Sequence, residues 1–216
     1  MRIVRSPGVY RPEGDTHLLL RSYREAGIPP GGRTLDIGTG TGTLAIAAGR
    51  HGAADVTAVD LSALAIATTR LNALRNRTPI RVRRGDALQL TYPEPFDLVL
   101  ANPPYVPAPH QPPRARTRAW NGGPDGRHCI DRICDRAPDL LTSGGTLLMV
   151  HSSLCDPDTT LQRLRANGIN AAIVDRRPQP FGPVLHAQAP ELERTGHIRP
   201  GQRHEELVVV RGDRTR

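Results

Sequence analysis

The segment TLDIGTGTG, Thr34 to Gly42, followed by the helical pattern Leu44–Arg50, decides the fold. A short apolar strand breaks into three alternating glycines and then opens a helix. This is the first strand–turn–helix of a doubly wound α/β sheet, and the chain on either side repeats the alternation. Upstream, a helix is expected over Thr16–Ala26, with Asp15 as its cap and Gly27, Pro29 and Pro30 as its stop. Downstream, strands are expected at Asp55–Val59, Ile80–Arg84, Phe96–Ala101 and Thr146–Val150, joining Arg33–Ile37. Helices fall between them at Ala63–Arg75 and His128–Leu141. A further helix runs from Asp156 to about Ala166, and the tail offers strands near Ala171–Val174 and Leu207–Arg211. Seven strands result, mostly parallel because crossover helices separate them. Ligands of such sheets bind beyond the carboxyl ends of the strands, which is where the motifs below fall.

Size and composition set bounds on this reading. At 216 residues, one domain over 1–216 suffices, with a core large enough to need no disulfide or structural metal. Cys129, Cys134 and Cys155 are an odd number without C-x-x-C spacing, so reduced thiols and no metal site are expected. There is no apolar run of about eighteen residues, and the first fifteen residues lack the apolar stretch of a secretory signal. A soluble, cytoplasmic protein is therefore expected, with no membrane partner. All 29 basic residues are Arg, and the net charge is +8. Alongside abundant Ala, Gly and Pro, this bias reads as a GC-rich genome and a solvated basic surface before it reads as a phosphate-binding footprint.

Gly38, Gly40 and Gly42, with Thr39 between the first two, let backbone approach a ligand, and amides at the helix start offer donors to a carboxylate. Asp36 carries a charge suited to an ammonium group. Together they suit the amino-acid end of S-adenosylmethionine (SAM). A dinucleotide fingerprint, G-x-G-x-x-G, remains open: counted from Gly38 its third glycine is Thr43, but counted from Gly40 it is Ala45, a tolerated variant. The second strand ends in Asp60-Leu61, where a carboxylate can accept both ribose hydroxyls, and the third in Asp86-Ala87, where Asp86 can accept from an adenine amine.

The fourth strand runs into Asn102-Pro103-Pro104-Tyr105. Two prolines stiffen the chain and remove N–H groups, so the Asn102 oxygen and the Pro103 carbonyl can be aimed at one planar NH2 while Tyr105 packs on its parent group. Fixed acceptors stabilise the positive charge that develops on a delocalised nitrogen as it takes a methyl group, without a strong base.

D-I-G-T-G-T-G, V-D, G-D-A and N-P-P-Y, in this order, resemble class I SAM-dependent amino-methyltransferases, whose fold is Rossmann-like. Val9-Tyr10-Arg11-Pro12 with Asp15-Thr16, and the run from Ala119-Trp120-Asn121-Gly122-Gly123 through Arg127, are similar to the shorter HemK-related branch of release-factor glutamine methyltransferases. The resemblance implies that Tyr10, Pro12 and Thr16 help enclose SAM and that Asn102 to Tyr105 hold a glutamine amide of a protein substrate. Arg11 and Gly14 stand where that branch carries carboxylates. Adenine in nucleic acid and a small molecule or peptide remain open as alternative acceptors. A SAM-binding scaffold role and a small activator subunit on the exposed third strand also remain open. The Pro- and Arg-rich stretch Val106–Arg118 is expected to be a substrate lid. Phe181–Arg203 has no evident role beyond covering the end of the sheet.

Overall fold

The computed structural model describes residues 1–109 and 119–215. Seven strands form one sheet: β1 (Arg33–Ile37), β2 (Asp55–Asp60), β3 (Arg81–Arg84), β4 (Phe96–Ala101), β5 (Leu141–Ser152), β6 (Ile169–Pro180) and β7 (His204–Arg214). Their spatial order is β3-β2-β1-β4-β5-β7-β6, parallel except for β7, which lies antiparallel between β5 and β6. Six helices accompany them: α1 (Gly14–Glu25), α2 (Thr43–Arg50), α3 (Ala63–Arg75), α4 (His128–Leu140), α5 (Pro157–Ala166) and α6 (Pro183–Arg194). The expected mixed α/β architecture is observed.

Burial follows strand position. β4 and the centre of β7 read as continuous apolar runs because helices cover both faces of a parallel sheet, and Leu98, Leu100 and Leu207–Val210 are almost wholly buried. Truncating a leucine such as Leu100 to alanine costs about 2–5 kcal/mol at such a site. At the other extreme, β3 is the sequence RVRR, and its arginines are charged and outward at the sheet edge, a pattern that discourages indiscriminate edge pairing.

Several boundaries differ from expectation for local reasons. Helix α1 starts at Gly14, and Asp15 is not its cap: Glu13 holds that position without a side-chain bond. Leu141 leaves α4 and pairs with Phe96, while the Gly144-Gly145 turn shifts the register so that Thr146 meets Leu98. A Cβ on Gly145 would sit 2.9 Å from the Phe96 carbonyl, so the shift needs glycine. Strands β6 and β7 are far longer than hydrophobicity suggests because they pair along 12 and 11 residues that are half polar. Within the uninterpreted tail lies α6, whose Leu185, Ala189 and Leu192 build a second apolar cluster with Phe181, Ile198 and Val106, apart from the main core. No helix among the described residues is long and apolar enough to cross a membrane.

Candidate active site

β1 leads to β2 and β3 on one side and has β4 on the other, so the chain direction diverges between the carboxyl ends of β1 and β4. Such a switch point opens a crevice, and here it holds a cavity of about 480 Å³. Tyr10, Pro12 and Thr16 line it, with Gly38, Thr39 and Gly40 of the glycine loop. Asp60 with Leu61 and Asp86 with Ala87 close one end, and Asn102, Pro103, Pro104 and Tyr105 the other. Gly38 and Gly40 adopt φ of +68° and +55°, and a Cβ built on Gly38 meets nothing within 4 Å, so the loop presents bare backbone to open space.

Asp36 and Gly42 are brought near this loop but are not among the residues that line the cavity. Strand alternation turns Asp36 toward the first turn of α2. Its Oδ2 accepts from Thr39 Oγ1 at 2.6 Å and Ala45 N at 3.1 Å, and its Oδ1 is buried without a partner. Burial pushes this carboxyl up to about 7 against the pull of those two hydrogen bonds. Its position makes it a tie between loop and helix. Gly42 serves packing, since a Cβ there would lie 2.9 Å from the Thr69 methyl on α3.

Asp60 and Asp86, at and just beyond the ends of β2 and β3, are held by backbone amides. Asp60 accepts from Gly40 N at 3.0 Å and Ser62 N at 2.8 Å, which couples the end of β2 to the glycine loop. Asp86 accepts from Leu88 N at 3.0 Å, and the Arg132 guanidinium braces it at 2.7 Å. The cavity thus offers open backbone at the glycines as donors and two carboxylates spaced along one wall as acceptors.

Asn102 has a defined orientation. The Thr16 hydroxyl directs its proton to Asp15 Oδ1 at 3.2 Å, so toward Asn102 it can only accept, and Asn102 Nδ2 donates to it at 3.2 Å. The Asn102 oxygen is thereby the end left as acceptor. Asp15 is the hub beneath: the hydroxyls of Tyr10 and Tyr105 donate to its Oδ2 at 2.8 and 3.1 Å, and Thr16 N donates to Oδ1 at 2.5 Å. Burial and the adjacent Asp15 charge hold both phenols well above their usual range.

Beyond Tyr105 the chain is splinted by the Trp120–Gly123 run. Val106 N donates to Trp120 O, Gly122 N to Val106 O and Ala108 N to Gly123 O, at 2.8 to 2.9 Å. Gly122 and Gly126 are required by contact, since a Cβ on the first meets Gly126 O and on the second meets Tyr105 O. Arg127, buried, clamps the far side through the carbonyls of Cys155 and Asp156 and a 2.7 Å ion pair with Asp131. Most of the expected lid, residues 110–118, lies outside the described residues.

Among the wall residues not anticipated from sequence as parts of a site are Gln179 and Glu205, and Gly182 and Pro183 at the start of α6. The two polar residues carry no motif, and only the pairing of β6 with β7 delivers them. Cys129, on α4 as expected, also reaches the wall, and burial pushes its thiol up to about 11. Burial pushes His151 down to about 4, and its Nδ1 donates to the Ser152 carbonyl at 2.9 Å. No cluster of His, Cys, Asp and Glu suited to a metal exists among the described residues.

Comparison with known proteins gives the same direction. Residues 1–172 match the Methyltransferase small domain family. The chain is 32% identical over 181 residues to a putative protein N5-glutamine methyltransferase of Methanocaldococcus jannaschii, covering 83% of this chain and 90% of that one. It is 33% identical over 175 residues to the release factor glutamine methyltransferase of Geobacter sulfurreducens, covering 76% of this chain but 60% of that longer protein. In fold it is similar to the E. cuniculi Mtq2-Trm112 complex responsible for methylation of the eRF1 termination factor, with TM-score 0.68, 24% identity and coverage of 96% and 99%.

Proposed function

Because the chain belongs to the Methyltransferase small domain family and is a SAM-dependent methyltransferase of class I fold, we propose that its acceptor is a protein glutamine amide of the release-factor type. One observation carries the reading: the Thr16 hydroxyl, committed to Asp15, pins Asn102 Nδ2 and leaves the Asn102 oxygen to accept. Beside it Pro103 has a carbonyl and no N–H. The two oxygens together receive both hydrogens of a planar NH2 and stabilise the charge that builds on its nitrogen, and Tyr105 lines the space where the parent plane lies. The names of the Methanocaldococcus and Geobacter relatives favour glutamine over adenine.

Bound SAM supplies an electrophilic methyl group on its sulfonium. Tyr10, Pro12 and Thr16 cover it, and Gly38, Thr39 and Gly40 receive its amino-acid end. Asp60 and Leu61 take the ribose, Asp86 and Ala87 the adenine, and Asn102 faces both ligands. Asp36 and Gly42 support the loop from behind. Residues 1–216 act as one catalytic domain in this proposal, since every described strand belongs to one sheet. A small activator subunit would sit along β3, whose outer edge has no partner strand among the described residues and beside which α3 leaves Leu64, Leu71 and Leu74 exposed. The E. cuniculi neighbour is itself such a two-protein complex.

The test incubates the protein and labelled SAM with release factors, other proteins and nucleic acids in parallel, with Asn102→Ala as the blank. Mass spectrometry then locates the methyl group. Label on a glutamine side chain is expected, with turnover by Asn102→Ala reduced about 10²–10³-fold while SAM still binds. Label on adenine and none on glutamine would overturn the assignment.

A further inference from the structure

Among the described residues, five buried side-chain atoms have no hydrogen-bond partner, and Glu205 Oε2 is the one that belongs to a residue of the cavity wall. Its other oxygen, Oε1, accepts from Gln179 Nε2 at 2.9 Å, the two residues facing each other across the β6–β7 ladder. Glu205 is only 6% exposed, and burial raises its carboxyl against the pull of Ser152 and Gln179. A buried carboxylate oxygen without a donor is costly, and in a side chain that lines a cavity it is a place where a ligand's donor would be stabilised.

The topology says which ligand. The glycine loop, Asp60 and Asp86 stand at the ends of β1, β2 and β3, whereas β7 lies beyond β4 and β5 on the opposite side. Because β7 is antiparallel, its first residues reach the level where β5 ends, Leu207 pairing with Ser152. Glu205 is therefore on the side of the cavity away from Asp60 and Asp86, where its charge is felt by both phenols on Asp15, Tyr105 and Tyr10. Asp15 does not share the task, since both its oxygens already accept two donors each. Gly14 completes the device. A Cβ there would lie 2.5 Å from Gln179 Oε1, so the absence of a side chain at 14 makes room for the group that holds Glu205.

We infer that Glu205, braced by Gln179 in the space left by Gly14, binds the acceptor chain by taking a hydrogen bond from a backbone N–H beside the methylated glutamine. This rests on the glutamine reading above, in which both hydrogens of the side-chain amide are engaged by Asn102 and Pro103. Glu205 then reads the polypeptide and not the amide.

The experiment uses a glutamine-containing peptide from a release factor that the protein methylates, together with esters replacing each flanking peptide N–H in turn. For Glu205→Gln, KM for the peptide should rise about ten- to hundred-fold, the range for losing a hydrogen bond to a charged group, while kcat and the calorimetric affinity for SAM stay within about twofold. One ester should reproduce that KM in the parent protein and add nothing in Glu205→Gln. Gln179→Leu, which keeps the carboxylate but frees it, should give a smaller rise of the same kind and guards against misfolding of the first variant. An unchanged peptide KM in a folded Glu205→Gln protein overturns the inference, as does a loss of SAM affinity, which would give the carboxylate to the cofactor's ammonium. If the parent protein methylates no glutamine peptide or protein, the glutamine reading itself fails, and this inference with it.

Discussion

Asp15→Asn removes a charge but almost no volume, and the geometry dictates why it should be damaging. Asp15 Oδ2 accepts from two phenols, and Oδ1 accepts from Thr16 N and Thr16 Oγ1. A carboxamide has one oxygen. If it faces the phenols, its NH2 meets the Thr16 N–H; if it faces Thr16, the NH2 meets two hydroxyls that must turn away. Exchanging charge-assisted bonds for neutral ones and leaving a buried donor unpaired sums to about 3–5 kcal/mol. That is a large part of an ordinary domain's stability of about 5–15 kcal/mol, and for a chain of this length it lowers the melting temperature by roughly 10 °C. Calorimetric or denaturant unfolding measures this directly. A double-mutant cycle sharpens it: Tyr105→Phe should cost about 1.5–3 kcal/mol in the parent protein and little in Asp15→Asn, because its acceptor is already lost. Additive costs, or an Asp15→Asn protein with parental stability and turnover, would refute the hub.

Three further outcomes are expected. Asp60→Ala removes the acceptor of the Gly40 and Ser62 amides and should weaken SAM at least tenfold by calorimetry while circular dichroism stays parental. Stability should fall on acidification: His151 resists protonation down to about 4, so the unfolded state binds the extra proton first, and stability present above the ordinary histidine pKa is lost between about pH 6.5 and 4. Replacing His151 with Gln should flatten unfolding midpoints over that window, whereas Asp36, protonated in the folded state below about 7, bends the curve oppositely and is checked by Asp36→Asn. Cys129, held near 11 in the cavity wall, should react with maleimide at pH 7.5 far more slowly than a free thiol, and SAM should slow it further; a fast reaction indifferent to SAM removes it from the wall.

The parts of the fold visible in sequence are those where local pattern and tertiary demand agree. Strands β1, β2 and β4 are short apolar runs ending in glycine, acid or proline, and β3 is marked by the acid that follows it. The cofactor half and Asn102–Tyr105 were legible because each residue follows its strand directly. What was hidden depends on contacts distant in sequence. Asp15 looks like a helix cap until Tyr105, 90 residues away, donates to it. That Asp36 is buried and accepts from Thr39 and from Ala45 of α2 has no signal in the sequence. Gln179 and Glu205 lie in half-polar strands whose pairing has no hydrophobic signature, and α6 is obscured by Pro190 within it.

Sheet order also bears on how the protein is made. β7 is synthesised after every other described strand, yet it fits between β5 and β6. Until it emerges from the ribosome β6 has no partner strand in the sheet, and β5 exposes an unpaired apolar edge. A nascent chain therefore has the glycine loop, Asp60, Asp86 and Asn102 in hand while the wall that carries Glu205 does not exist. Ribosomes stalled just before His204 should carry a partly formed, aggregation-prone chain that depends on chaperones, and closure of the sheet should wait until β7 has emerged.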